Sequence, residues 1–125
     1  MFKVYIDDIR TPINPQWTIL RSFDEFISFL EEHGLNKIEL ISFDHDLGDP
    51  REIEKTGYDC AKSLVERWFE EVDSLLIPKE DIYFPQVYVH SANPVGSENI
   101  IKYINNFLKI ISRPQSCKRV NISHT

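Results

Sequence analysis

Apolar and polar residues fall in blocks along this chain, and the blocks change period. Phe2 to Ile6 is a short apolar run that stops at Asp7-Asp8, as a buried strand does. Trp17 to Arg21 is a second, weaker strand candidate. Ser22-Phe23-Asp24-Glu25 has the pattern of a helix start, with Ser22 capping and Glu25 reaching back. Phe23, Phe26, Ile27 and Leu30 then fall on one helical face, and Gly34 is the expected stop. Ile38 to Phe43 reads as a third strand, running straight into Asp44-His45-Asp46. A loop containing Gly48, Pro50 and Gly57 follows. Thr56 is placed to cap a second helix, with Asp59 in its first turn and a buried stripe of Cys60, Ala61, Leu64, Val65 and Trp68. Gln86 to Val89 is a fourth strand, ending at His90-Ser91. Ser97 is the expected cap of a third helix, with the stripe Ile100, Ile101, Ile104, Phe107, Leu108 and Ile111 and a stop at Pro114. Cys117 to Ile122 is a marginal last strand.

Strands alternating with helices predict an α/β domain with a mostly parallel sheet of about five strands. Only eight residues separate Asp8 from Trp17, fewer than the about ten to twelve a parallel crossover needs. The first helix of an ordinary doubly wound fold is therefore expected to be reduced or missing. A length of 125 residues predicts a single domain spanning 1–125.

Charge and composition narrow the function. The net charge is −6, yet no acid follows Asn99, where Lys102, Lys109, Arg113, Lys118 and Arg119 are all basic. An acidic chain is not built for duplex nucleic acid, so none is expected as a partner. Two cysteines, Cys60 and Cys117, form neither a disulfide framework nor a metal-type pair. No apolar run approaches the roughly 20 residues of a bilayer span, and the start lacks a signal-peptide pattern. The expectation is a cytoplasmic protein with no membrane partner. The sequence leaves its oligomeric state open.

Three strands end in chemistry-bearing residues: Asp7-Asp8, Asp44-His45-Asp46 and His90-Ser91. In open parallel sheets, ligands bind beyond the carboxyl ends of the strands, where strand order reverses. A strand order of 2-1-3-4-5 would bring these ends into one crevice. Acids gathered there need a counterion, and a hard cation such as Mg²⁺ suits carboxylate oxygens. Asp44 and Asp46, together with Asp7 and Asp8, are thus the candidate ligands for a cation, Mg²⁺ or Mn²⁺. His45 and His90 are candidate proton movers. Arg10 can pair with an acid or offer its fork to a phosphate. Ser91 and Asn93, leading into the third helix, are candidate phosphate donors near a positive dipole end. His33 is placed to complement a helix dipole, and His124 falls in the C-terminal tail. Each acid pair alone is also ordinary turn chemistry. Tyr58, Trp68 and Phe69 read as core packing.

The arrangement resembles response-regulator receiver domains, with their three-layer, flavodoxin-like fold. That resemblance implies Mg²⁺ at Asp7 and Asp8, a phosphoacceptor at Asp44 rather than Asp46, and a phosphoryl contact at Ser91. It departs from the pattern in the lost first helix, in Lys118 as a weak stand-in for the usual lysine, and in the lack of a final helix. Closer is the resemblance to cyclic-phosphate processing receiver domains, a divergent group often encoded by phages or bacteria. Asp7-Asp8-Ile-Arg10-Thr-Pro12, Phe43-Asp44-His45-Asp46-Leu47-Gly48, Thr56-Gly57-Tyr58-Asp59 and His90-Ser91-Ala-Asn93-Pro94-Val-Gly96 carry it. It implies a metal-dependent phosphoesterase acting on a small nucleotide bearing a cyclic phosphate. His45, His90 and Asp46 would then be catalytic, and Arg10, Ser91 and Asn93 would bind phosphate. Two readings from other classes stay open: a non-enzymatic phosphoacceptor or interaction module, and a protein that sequesters a cyclic nucleotide.

Overall fold

The computed structural model describes residues 1–47, 56–75, 78 and 82–120. Five strands form one sheet: β1 (Phe2–Ile6), β2 (Trp17–Leu20), β3 (Ile38–Phe43), β4 (Gln86–Val89) and β5 (Lys118–Arg119). Their order is β2-β1-β3-β4-β5, and every pairing is parallel. Three helices connect them: α1 (Phe23–His33), α2 (Gly57–Leu75) and α3 (Pro94–Ile110). This is the receiver-like α/β fold, with a loop where its first helix would stand. The loop through Gly48 and Pro50, the end of the last strand at Ile122, and His124 lie outside the described residues.

Helix ends follow local chemistry. Ser22 Oγ accepts the Glu25 N–H at 3.1 Å. The Glu25 carboxylate reaches one residue further back than a capping box requires, to the Arg21 N–H. Gly34 ends α1 with a φ of 74°, a left-handed turn that glycine adopts without strain. At α2, the Tyr58 N–H donates to Thr56 Oγ1 and the Thr56 N–H to Asp59 Oδ2. At α3 the expected cap is wrong. Asn93, not Ser97, caps the helix, its Oδ1 accepting the Gly96 N–H at 2.9 Å. Pro94 follows at the first helical position, where a missing N–H costs nothing. Ser97 is instead buried one turn in. The helix also ends at Ile110, ahead of Pro114.

Strand order explains the layers. The connections β2 to β3, β3 to β4 and β4 to β5 all move the same way along the sheet, and right-handed crossovers of one direction place their helices on one face. α1 packs on α2 and α2 on α3. Under them lie Val4, Ile6, Ile41, Phe43, Val87 and Val89, all buried. On the opposite face Trp17, Ile19, Leu40 and Tyr88 are only partly covered. The expected third layer therefore carries no helix among the described residues. Of the aromatic stripe expected in the core, Trp68 is buried, whereas Phe69 is exposed and touches Trp68 and Phe107 edge to face. His33 packs against Phe2 and Phe29, at ring distances of 4.6 and 4.5 Å, rather than acting only on the helix dipole. Both cysteines are free and buried. Among the described residues, no helix is long and apolar enough to cross a membrane.

Candidate active site

Register places the site. Leu20, Ile6, Phe43, Val89 and Arg119 pair in one row across all five strands. The ladder continues one step past this row. Asp7 N–H donates to Leu20 O, Asp44 N–H to Ile6 O, and His90 N–H to Phe43 O, at 2.8–3.1 Å. The backbones of Asp7, Asp44 and His90 are thus held by the sheet itself, not by loose turns. Residues two apart on a strand share a face, so Tyr5 with Asp7, Ser42 with Asp44, and Tyr88 with His90 all project to one side.

Asp7, Asp8 and Asp44 each bring one carboxylate oxygen within 4.8 Å of the others. Asp7 and Asp44 are buried, and Asp8 is partly exposed. Arg10 closes over the group, with Nη1 at 3.4 Å from Asp7 and 3.5 Å from Asp44. Its side chain is 35% exposed, so water shares these bridges. The two buried acids are driven apart. Burial alone would raise Asp7. The hydrogen bond from His90, the amides of Arg10 and Ile9 and the charge of His90 reverse that, holding it well below the usual carboxylate range. For Asp44, burial is the largest influence and the charge of Asp7 adds to it. They push its carboxyl up despite the Ser91 hydroxyl that bonds to it.

His90 is fully buried, with both ring nitrogens engaged. Nε2 lies 3.0 Å from Asp7 Oδ2, and Nδ1 lies 2.7 Å from Ser42 Oγ. A carboxylate only accepts, so Nε2 carries a proton towards Asp7. Tyr5 stacks on the ring at 4.2 Å. The ring orients Asp7 and is sealed from any bound molecule.

His45 differs. Its ring packs on the first turn of α3 over Gly96, where a methyl group would overlap the imidazole. Gly57 likewise lets the start of α2 meet the Asp44 carbonyl, which a side chain would block. His45 Nδ1 lies 2.8 Å from Asp46 Oδ1. Asn93 Nδ2 donates to the same oxygen at 3.4 Å. With Nδ1–H bonded to Asp46, Nε2 is the basic nitrogen, and it has no hydrogen-bond partner among the described residues. Asp46 stands outside the acid trio.

A single family model decides what this constellation is related to: that of the cyclic-phosphate processing receiver domain matches residues 2–106. The chain belongs to that family. No curated protein and no solved structure matches it. Within this receiver domain the structure gathers Asp7, Asp8, Arg10, Asp44, His90 and Ser91 at one strand-end crevice, with the His45–Asp46–Asn93 group alongside. Ser91 is fully buried and spends its hydroxyl on Asp44 and the Asn93 N–H. Asn93 is committed to its cap and to Asp46. Lys118, on the outermost strand, is exposed.

Sequence reasoning missed three contributors. Arg21 stands where the first helix is lost. Its guanidinium bonds the carbonyls of Asp7 and Arg10 at 3.1 and 2.6 Å and the Thr11 hydroxyl at 2.9 Å, tying down the β1–β2 loop. Its signal was an arginine just past a strand, beside a loop too short for a helix. Ser42 was legible as a lone hydroxyl in a buried apolar strand. Arg119, on the last strand, donates to the Ser91 carbonyl at 3.1 Å and so ties β5 to the end of β4.

Proposed function

We propose that this domain is a metal-dependent phosphoesterase that opens nucleotide cyclic phosphates. The observation that supports it most is a charge count. Asp7, Asp8, Asp44 and the Arg10 guanidinium together leave a net of −2 in a crevice whose donors are all oxygen, which suits one hard divalent cation. Asp7, Asp8 and Asp44 would hold Mg²⁺ or Mn²⁺, which when bound supplies charge neutralisation and polarises phosphoester oxygens.

The chain's own residues supply the rest. His90 keeps Asp7 ionised and aimed, and Ser91 aims Asp44 while partly offsetting its burial, so both are positioning residues. Arg10, already at the mouth, turns its fork to the phosphate. His45 Nε2 takes the proton of the attacking water. Asp46 holds the Nδ1–H tautomer and steadies the imidazolium that forms. The same imidazolium then returns the proton to the leaving ribose oxygen as the ring opens. Asn93 fixes Asp46, and Gly96 admits the imidazole. The expectation that His90 moves protons on the substrate is set aside, because a sealed ring reaches none. Ser91 and Asn93 are set aside as direct phosphate ligands on the same ground of prior commitment.

The His45→Gln variant tests this. With Mg²⁺ present, hydrolysis of a cyclic nucleotide should fall by about 10²–10⁴-fold, while the rise in melting temperature caused by Mg²⁺ is unchanged. An unchanged rate removes His45 from the chemistry.

A further inference from the structure

A cavity of about 550 Å³ opens beside His45, between the start of α2 and one face of α3, lined by His45, Thr56, Tyr58, Asn99, Tyr103 and Asn106. Its size is that of a small-molecule site, roughly 300–1,000 Å³. The α3 residues fall at spacings of four and three, so they form a stripe beside the buried one of Ile100, Ile104 and Phe107. A polar stripe on a helix is usually a solvated face, and two features separate this one from that.

The first is the asparagines. Asn is a poor helix former, and Asn105 on the same helix is retained for a visible reason, clamping the Cys117 backbone through both its amide atoms. Asn99 and Asn106 are exposed, make no hydrogen bond among the described residues, and line the cavity. The second is the aromatic pair. Tyr58 and Tyr103, partly buried against the edge of the core, meet edge to face at 5.4 Å in the cavity wall. Uncommitted amides beside aromatic rings are what reads the edge and face of a planar heterocycle. Lys102 adds a positive charge to the same wall.

We infer that this cleft is the nucleoside subsite, holding the base of a nucleotide against Tyr58 and Tyr103 and reading its edge with Asn99 and Asn106. The inference rests on the reading of the acid crevice as the phosphate end and of His45, which lines the cleft, as its proton carrier. It adds where on the domain the base is held, and that a bare sugar phosphate is a poor ligand.

The test is a ¹⁵N NMR titration of the full chain in EDTA with the 2′,3′-cyclic phosphates of adenosine, guanosine, cytidine and uridine, and with ribose 5-phosphate. Working without metal keeps it independent of turnover. At least one base should give saturable shifts at Tyr58, Asn99, Tyr103 and Asn106 that ribose 5-phosphate does not give. Tyr103→Ala and Asn106→Ala should each weaken that binding by about tenfold. Asn106→Ala lies on an exposed helical position where alanine favours the fold, so a loss there is not unfolding. Shifts confined to the acid crevice, equal affinity in both variants, or no binding by any of the four overturns the inference. If the wild type hydrolyses cyclic nucleotides with a KM that neither variant changes, the inference fails while the catalytic reading stands. If the cleft binds a base and nothing is hydrolysed, the inference stands and the catalytic reading fails.

Discussion

Replacing Asp44 by Asn removes one charge from the acid trio and keeps an oxygen for the Ser91 hydroxyl. With their oxygens within 4.8 Å of one another and an effective dielectric of about 20, each carboxylate pair repels by about 3.5 kcal/mol or more. Asp44 takes part in two such pairs, with Asp7 and Asp8. Against them stands its bridge to Arg10 at 3.5 Å, worth about 4.7 kcal/mol on the same scale. Losing the charge thus removes about 2 kcal/mol of net repulsion. Partial exposure of Asp8 lowers this, so about 1–2 kcal/mol remains. For a domain of this size the melting temperature of metal-free protein should rise by about 3–8 °C. Magnesium reverses the order. At a concentration 100 times its Kd it stabilises the native wild type by about 2.7 kcal/mol through mass action, and Asp44→Asn should gain less than about a third of that. Calorimetry of both proteins in EDTA and in Mg²⁺ reads all four values. A variant that melts lower in EDTA, together with equal magnesium shifts for the two proteins, would refute the reasoning and return these acids to the status of a solvated turn.

Acid should narrow the same gap. Asp44 titrates above its ordinary 3.8, so the folded state binds its proton first and metal-free wild type gains stability as pH falls from 7 towards 4. Asp7 does not obscure this, because its stabilising contribution is complete above 3.8 and fades only as pH drops through its depressed value. Melting curves in EDTA across that range should therefore bring wild type and Asp44→Asn together at the acid end, and a constant difference would count against the raised Asp44. Gly96→Ala should remain folded without gaining stability, since a helix preference of about 1 kcal/mol is opposed by overlap of the new methyl with the His45 ring. It should still cut hydrolysis at least about tenfold by displacing His45; circular dichroism and rate assays together check both halves.

Much of the scaffold was readable because its signals are local. The apolar runs of β1, β3 and β4 end where a polar residue begins, and the order 2-1-3-4-5, considered because it would unite those ends, is the one the sheet has. The gathering of Asp7, Asp8 and Asp44 followed from that order, since parallel strands in register end on a common edge. What was not readable depends on distant groups. His90 looks the same in sequence whether it faces solvent or folds back between Tyr5 and Ser42, and only the packing of β1, β3 and β4 decides it. Asn93 and Ser97 are both cap-type residues in sequence, and Pro94 at the first helical position is what marks Asn93 as the cap. Arg21 carries no motif; its role exists only because the loop it ties down replaces a helix. That the three described crossover helices share one face came from the direction of the crossovers, which no single segment shows.

Phosphorus NMR of the purified protein with 2′,3′- and 3′,5′-cyclic nucleotides, in Mg²⁺ or Mn²⁺, tests the central claim most directly. The account predicts that the cyclic phosphorus signal of at least one nucleotide is replaced by that of a linear monophosphate. The conversion should stop in EDTA and be lost in His45→Gln. No conversion across the whole panel, with stable acetyl-phosphate labelling or beryllofluoride capture at Asp44, would contradict it and make the domain a phosphoacceptor.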